Sequence, residues 1–233
     1  MKQKKGLGNR LLDSLPAAAL RALEPHLERT VLEAGDVLCE PGEAFRHVYF
    51  PTEGLVSLLA TTIDGDNLEV RLVGFEGLVG VPLVFGATSP YKALVQVKGS
   101  GFRMKAATFA TLFARPNGLQ NLVMRYTHAV FVQVTQSSVC NLFHSVEQRL
   151  CRWLLQALDR SRSDTLPLTQ DLLSRMLGIR RASVTVTASR LQRSGVIRSS
   201  RGEITILDRR RLEAAACECY AVIRDQFERA LKR

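Results

Sequence analysis

Short runs of alternating apolar and polar residues fill the chain between Thr30 and Met104. They include Val48-Tyr49-Phe50, Leu55-Val56-Ser57-Leu58-Leu59, Leu68-Glu69-Val70-Arg71-Leu72-Val73 and Leu94-Val95-Gln96-Val97. A period of two places alternate side chains on opposite faces of a pleated strand, so each run reads as a strand with one buried face. Glycines at 35, 42, 54, 65, 74, 77, 80 and 86 break the runs at turns, and Asp64-Gly65 carries the composition of a hairpin loop. Many short strands at near-even spacing predict an antiparallel barrel or roll, with no βαβ nucleotide-binding pattern. The apolar stretch Gly77–Phe85 contains Gly80 and Pro82, and predicts a strand pair.

Elsewhere the period shifts to that of a helix. Leu11 to Leu27, punctuated by Pro16 and Pro25, predicts one or two short helices, and Thr108 to Phe113 another. From Leu119 to Leu142 the chain has no proline or glycine. Leu119, Leu122, Val123, Tyr126, Val130, Val134 and Leu142 recur at helical steps there, which predicts one long helix whose apolar face either packs on its own domain or, the favoured reading, pairs with a second copy. Glu147 to Leu158 predicts an amphipathic helix with Leu150, Trp153, Leu154 and Leu158 inward.

Next comes a compact basic module. Thr169 is placed to cap a helix carrying Leu172, Leu173, Met176 and Leu177, which Gly178 ends. A second helix runs Arg181 to Ser194 with Val184, Ala188 and Leu191 inward, followed by two short strands from Val196 to Leu207 with Arg201-Gly202 between them. Helix, glycine turn, basic helix and β-hairpin in this order predict a winged helix-turn-helix. Arginines at the start of its second helix lie where base edges are read in a major groove.

Charge strengthens this reading. The formal net charge is +10, and it is unevenly spread: residues 1–150 hold 15 Lys+Arg against 13 Asp+Glu, whereas 151–233 hold 17 against 9. Between Leu168 and Arg201, seven arginines face the single Asp171. That is the electrostatic footprint of a polyanion reader, with double-stranded DNA as partner. The basic start Met1-Lys2-Gln3-Lys4-Lys5 lacks the apolar core of a signal peptide, and no apolar run is long enough to span a bilayer, so a cytoplasmic protein without a membrane partner is expected. Cys39, Cys140, Cys151, Cys217 and Cys219 are odd in number and scattered, which reads as buried thiols and not as a disulfide framework. Cys140 and His144 share one helix face four residues apart, a two-ligand spacing too sparse to predict a metal, and Cys217 and Cys219 read as packed on a C-terminal helix. An enzyme built on the roll would need a His/Glu cluster, and only His47 lies in the strands, so no enzyme is expected.

The chain resembles the Crp/Fnr superfamily of bacterial transcription regulators. The resemblance is carried by Glu33-Ala34-Gly35-Asp36, Pro41-Gly42-Glu43, Val48-Tyr49-Phe50, Gly77-Leu78-Val79-Gly80, the long helix, and Thr169-Gln170-Asp171 through Leu177-Gly178 to Arg181-Ala182-Ser183-Val184. It implies an α+β architecture: an N-terminal antiparallel β-roll sensor, a long dimerisation helix, and a C-terminal winged helix-turn-helix. The expected segments are a helical 1–25, a sensor 26–117, a dimerisation helix 118–143, a DNA-binding module 144–211 and a C-terminal helix 212–233. It further implies a homodimer on a roughly palindromic operator and a contact with RNA polymerase near residues 158–166.

Matching the family's recognition helix puts Arg181, Ala182 and Val186 at base-reading positions and Gln170, Arg180 and Ser183 at phosphates, with Thr169, Thr185 and Ser189 completing the expected DNA-binding set. In the sensor, the family's effector pocket maps onto Gly80, Val81, Tyr91, Lys92, Thr135 and Gln136. Members that bind cyclic nucleotides use a glutamate for the ribose and an arginine for the phosphate; here Val81 and Tyr91 stand at those places. Without the arginine a buried phosphate loses a charge-assisted bond of about 1.5–3 kcal/mol. The expected protein therefore does not bind cAMP tightly, and its effector is unassigned. Iron–sulfur members use N-terminal cysteines, and none precedes Cys39 here. Two alternatives stay open from sequence: a cyclic nucleotide in a non-standard pocket, or a redox signal at Cys217 and Cys219 or a haem held through His47, His128 or His144.

Overall fold

A computed structural model describes residues 6–232 apart from 66, 117 and 201. The basic start of the chain and Arg201 in the wing fall outside the described residues. Two short helices, α1 (Arg10–Asp13) and α2 (Ala17–Leu23), open the fold, and a single 3-10 turn (Glu24–His26) leads into the roll. The roll comprises β1 (Glu28–Leu32), β2 (Val37–Cys39), β3 (His47–Pro51), β4 (Leu55–Thr61), β5 (Asn67–Val73), β6 (Lys92–Val97) and β7 (Gly99–Lys105). These form two antiparallel sheets, ordered β1-β7-β3 and β2-β6-β4-β5. Leu32, Phe45, Val56, Val73, Val79 and Val95 fill part of the space between them.

Residues 77–85 depart from the expected strand pair. Val79 makes one bridge to Tyr49, and the chain then closes into a 3-10 helix, Val81–Phe85. Pro82 has no N–H to give to a ladder, so pairing cannot continue through it.

α3 (Ala106–Phe113) crosses below the roll, and α4 (Leu119–Phe143) is the expected long helix. Its apolar face is divided, however. Leu119, Leu122, Val123, Tyr126 and Ala129 are buried against the protomer's own core, while Met124, Phe131, Val134 and Leu142 are exposed. The N-terminal half spends its apolar face on the roll and on the chain's last helix, so only the outer stripe is left for a second copy.

The turn out of α4 is fixed by a capping box: the Ser145 hydroxyl accepts from the Gln148 N–H at 3.3 Å, and Gln148 Oε1 accepts from the Ser145 N–H at 3.0 Å. This starts α5 (Val146–Arg160). Leu150, Trp153, Leu154 and Leu158 point inward as the periodicity predicts, but Arg149, Arg152, Gln156 and Arg160 on the polar face are buried as well. α5 is enclosed because the roll, the basic module and the C-terminal segment all pack on it.

β8 (Thr165–Leu166), α6 (Gln170–Leu177), α7 (Arg181–Arg193), β9 (Ile197–Ser200) and β10 (Glu203–Ile206) complete the basic module, with strand order β8-β10-β9. The expected single C-terminal helix is instead two, α8 (Arg209–Ala215) and α9 (Cys219–Leu231). Cys217 lies in the turn between them, not on a helix. α9 returns to pack along α4, with Phe227 edge-on to Tyr126 at 5.7 Å between ring centroids.

A buried polar network ties these parts together. Arg160 Nε donates to Glu76 Oε1 at 3.0 Å, and the Arg71 guanidinium lies 3.8 Å from the same carboxylate. Arg71 also donates to the Tyr126 hydroxyl, which accepts from the Leu78 N–H at 2.9 Å. Gly77 is required by this packing, since a Cβ there would sit 1.7 Å from the Tyr126 hydroxyl. Glu76 is the one carboxylate between the two guanidiniums. Removing one member of a buried, hydrogen-bonded pair leaves uncompensated charge, at a cost of about 3–5 kcal/mol. Glu76→Gln is therefore expected to lower the denaturant unfolding free energy by roughly that amount, whereas Glu33→Gln, which breaks the exposed Lys98–Glu33 pair, should cost about 0–1 kcal/mol. Equal losses in the two variants would refute the buried role of Glu76.

Candidate nucleic-acid interface and sensor cleft

The local sequence sets the reader's geometry. Thr169 caps α6 by accepting from the Leu172 N–H at 3.0 Å, and Gly178 ends the helix at φ 60°, a left-handed conformation that glycine adopts without strain. Leu173, Met176 and Leu177 from α6 meet Val184, Ala188 and Leu191 from α7 in one core. This leaves Arg181, Ala182, Thr185, Val186 and Ser189 exposed along the outer face of α7, with Ser183 partly covered. Thr185 donates to Gln170 Oε1 at 2.6 Å, so two expected DNA-facing side chains lock the helices to each other. Arg180 is the N-cap of α7 and has no side-chain capping bond, and no acidic residue lies in the first turn. The positive end of the helix dipole and two exposed arginines thus lie at the same end of α7, a composition suited to a phosphate.

The arginines divide into two groups. Arg190 is paired with Glu147 at 2.7 Å and Arg175 with Asp171 at 3.1 Å. Arg180, Arg181, Arg193 and Arg198 are exposed and make no ion pair among the described residues. Gln192 Oε1 accepts from the Ser199 N–H at 2.8 Å and ties α7 to the wing.

The reader is docked on the roll. Leu55, Leu59 and Leu72 of the roll share a core with Trp153, Met176 and Leu177. Within that seam Glu69 is desolvated: Ser57 Oγ and Trp153 Nε1 each donate to it at 2.5 Å. Burial pushes the Glu69 carboxyl up, and those two hydrogen bonds offset the rise only in part.

On the opposite side of the same sheet, a cleft of about 630 Å³ lies between the roll and α4, walled by Leu58, Val70, Val81, Pro82, Phe85, Tyr91, Val130 and Phe131. Of the expected pocket residues, Val81 and Tyr91 line it, and burial pushes the Tyr91 phenol up. Gly80 sits behind them against Val48. Lys92 points away to an ion pair with Glu40 at 3.0 Å, as its position on the opposite strand face requires. Thr135 is exposed outside the cleft, and Gln136 instead donates to Cys219 Sγ at 3.2 Å. Among the described residues the cleft's one cation is Arg71, whose Nε and Nη1 are buried with no hydrogen-bond partner. Sequence reading missed it, because an arginine on an alternating strand reads as solvent-facing.

All five cysteines are buried and none is disulfide-bonded. Cys140, Cys217 and Cys219 come together with His144, an encounter between the end of α4 and the α8–α9 turn that residue spacing alone cannot reveal. His47 sits on β3 and His128 is exposed on α4, both away from this group.

Comparison with known proteins gives two family matches. Residues 29–116 match the cyclic nucleotide-binding domain, and residues 148–215 match the Crp-like helix-turn-helix domain. Together these cover about two thirds of the chain. The transcriptional regulator SdrP of Thermus thermophilus is 28% identical over 201 residues, which span 81% of this chain and 94% of that protein. Among solved structures, FixK2 from Bradyrhizobium japonicum superposes with a TM-score of 0.71 at 15% identity, covering 82% of this chain and 98% of FixK2. A Crp/Fnr-family regulator from Thermus thermophilus superposes at 0.64 with 24% identity, covering 81% and 98%. No helix among the described residues is long and apolar enough to cross a membrane.

The Glu69 seam predicts a pH dependence. A raised carboxyl value means the folded chain holds the proton more tightly than the unfolded chain. This contribution is complete below the ordinary glutamate value of about 4.3 and is lost as pH rises through the raised value. Wild-type melting temperature should therefore fall over that interval relative to Glu69→Gln, which cannot ionise. Parallel profiles for the two proteins would exclude the seam as the titrating element.

Proposed function

This chain belongs to the Crp/Fnr family of DNA-binding transcriptional regulators, and on that premise we propose that it acts as a homodimer reading a roughly palindromic operator through α7. It works in the cytoplasm by binding and not by catalysis. The observation that carries this reading is the outer face of α7, where Arg180 and Arg181 stand exposed and unpaired among the described residues at the helix's positive end. Arg181 is the base reader, by bidentate contact with guanine O6 and N7; Ala182 and Val186 fit thymine methyl groups. Gln170, Arg180 and Ser183 hold phosphates, supported by Thr169, Thr185 and Ser189. Two-fold pairing uses the stripe of α4 that its own roll leaves uncovered, with Phe131 and Leu142 at 69% and 75% exposure. Whether RNA polymerase is engaged near residues 158–166 depends on where the operator lies.

Selection of bound fragments from random duplex DNA tests this directly. The expected product is a two-fold symmetric consensus with a guanine in each half-site. Arg181→Ala should weaken binding to it by about 1–3 kcal/mol and relax preference at that base, while Arg180→Ala should weaken all sequences alike and lower the salt dependence. Sequence-independent binding by the wild type would contradict the base-reading role.

The effector cleft supports a ligand other than a cyclic nucleotide. Its walls are mostly apolar, its single cation among the described residues is Arg71, and Val81 and Tyr91 stand where a nucleotide's ribose and phosphate would need a carboxylate and a guanidinium. An apolar molecule bearing one anionic group fits this chemistry, with its charge toward the Arg71 side chain in the cleft wall. Calorimetry with cAMP is expected to show no binding at micromolar concentrations; micromolar affinity would overturn this reading of the cleft.

A further inference from the structure

We propose that Cys140, His144, Cys217 and Cys219 form a structural zinc site that clasps the end of α4 to the α8–α9 turn. Four potential ligand atoms, one from each residue, all lie within 4.8 Å of one another. Cys140 Sγ is 3.5 Å from Cys217 Sγ, and Cys219 Sγ is 3.4 Å from His144 Nδ1. Zinc binds thiolate at about 2.3 Å and imidazole at about 2.0–2.1 Å, so a tetrahedral ion spaces its ligand atoms roughly 3.4–3.8 Å apart. The observed spacing already approaches that value. The three cysteines are buried, and they form a small cluster of their own outside the larger apolar cores. Three sulfurs and one nitrogen are a donor set that selects zinc over hard cations such as magnesium or calcium. The tight mutual spacing encloses one ion and leaves no room for a cluster with bridging sulfides.

The surroundings fit a metal ligand at His144 specifically. Its Nδ1 faces the sulfurs, while Nε2 lies 3.2 Å from Glu218 Oε1. A ligating histidine commonly gives its other ring N–H to a carboxylate, which fixes the tautomer and raises ligand basicity. Glu218 lies between Cys217 and Cys219, so the α8–α9 turn and the first residue of α9 together supply two thiolates and the orienting carboxylate. Gln136 Nε2 donates to Cys219 Sγ, and the Arg152 charge acts on Cys140, which together offset the negative charge of three thiolates around a divalent ion.

Such an ion would join the hinge between α4 and α5 to the segment that follows the wing, closing a loop around the DNA reader. This site stands apart from the DNA-reading surface, and its test does not depend on DNA binding.

The test is metal analysis of the full chain purified under reducing conditions, followed by titration of the metal-stripped protein with cobalt(II) alone and competition with zinc. The expected result is about one zinc per chain and a tetrahedral cobalt spectrum with an intense thiolate-to-metal charge-transfer band. That band should weaken in Cys219→Ser and stay unchanged in Cys39→Ser. Glu218→Gln should keep the spectrum and weaken zinc affinity by about 10–100-fold. The proposal is overturned if the native chain, with its thiols reduced, holds no stoichiometric zinc and gives no charge-transfer band. It is equally overturned if peptide mapping finds a Cys140–Cys217 disulfide as the resident state. Both decisive readouts use the native chain, so misfolding of a variant does not blunt them.

Discussion

Holding two carboxylates, a buried Glu76 and a partly buried Glu69, at the face of one helix is the constraint around which this protein is arranged. Both come from β5 or the turn that follows it, and both are answered by α5, through Trp153 and Arg160. A carboxylate taken out of water is tolerated only where donors are fixed around it. α5 therefore cannot shift against the roll without leaving buried charge unpaired. Since α5 also carries the core on which α6 and α7 pack, the position of the DNA-reading helix is set by the sensor sheet itself. On the other side of that sheet, Arg71 spans from the Glu76 carboxylate to Tyr126 of α4 and reaches into the effector cleft. Sensor cleft, long helix and α5 are thus connected by buried polar contacts, and the apolar core that α5 shares with α6 and α7 carries the connection on to the reader.

The charge that marked the chain as a polyanion reader is used in two ways. Some arginines in the C-terminal third are structural: Arg160 is buried on Glu76, Arg190 holds Glu147, and Arg209 holds Asp159 and Glu213. Those left exposed and without an ion pair among the described residues include Arg180 and Arg181 at the start of α7, Arg193 at its end and Arg198 on the wing, with Arg210 and Arg211 on α8. Net charge alone therefore overstates the phosphate-binding surface, and the distribution of acidic partners decides which arginines face DNA.

Most of the architecture was legible in the sequence because local patterns and tertiary packing agree there. Period-two runs at Val48–Phe50 and Leu68–Val73 became strands, and Thr169 with Gly178 bounded a helix as their capping chemistry requires. What was not legible depends on long-range encounters. The apolar face of α4 was visible, but its division between the protomer's own core and an outer stripe was not, because α9 returns to cover it from about a hundred residues away. Arg71 and Arg152 sit on faces that periodicity assigns to solvent, and both are buried because a further element packs over them. Cys217 falls in the turn between α8 and α9 and Cys219 is the first residue of α9, and only the return of this segment brings its thiols to Cys140 and His144. In the DNA-reading set, the outward side of α7 followed from its period, whereas the docking of the whole module on β4 and β5 had no local signal.

Trp153 is the chain's only tryptophan, 4% exposed in the seam between roll and reader, and its emission reports that seam without a label. The decisive measurement is a titration of the selected operator duplex into the protein while this emission is followed. If sensor sheet and reader are coupled through α5, emission changes in step with binding and saturates at one duplex per two chains. Operator binding that leaves Trp153 emission unchanged, or that saturates at one duplex per chain, would contradict the account.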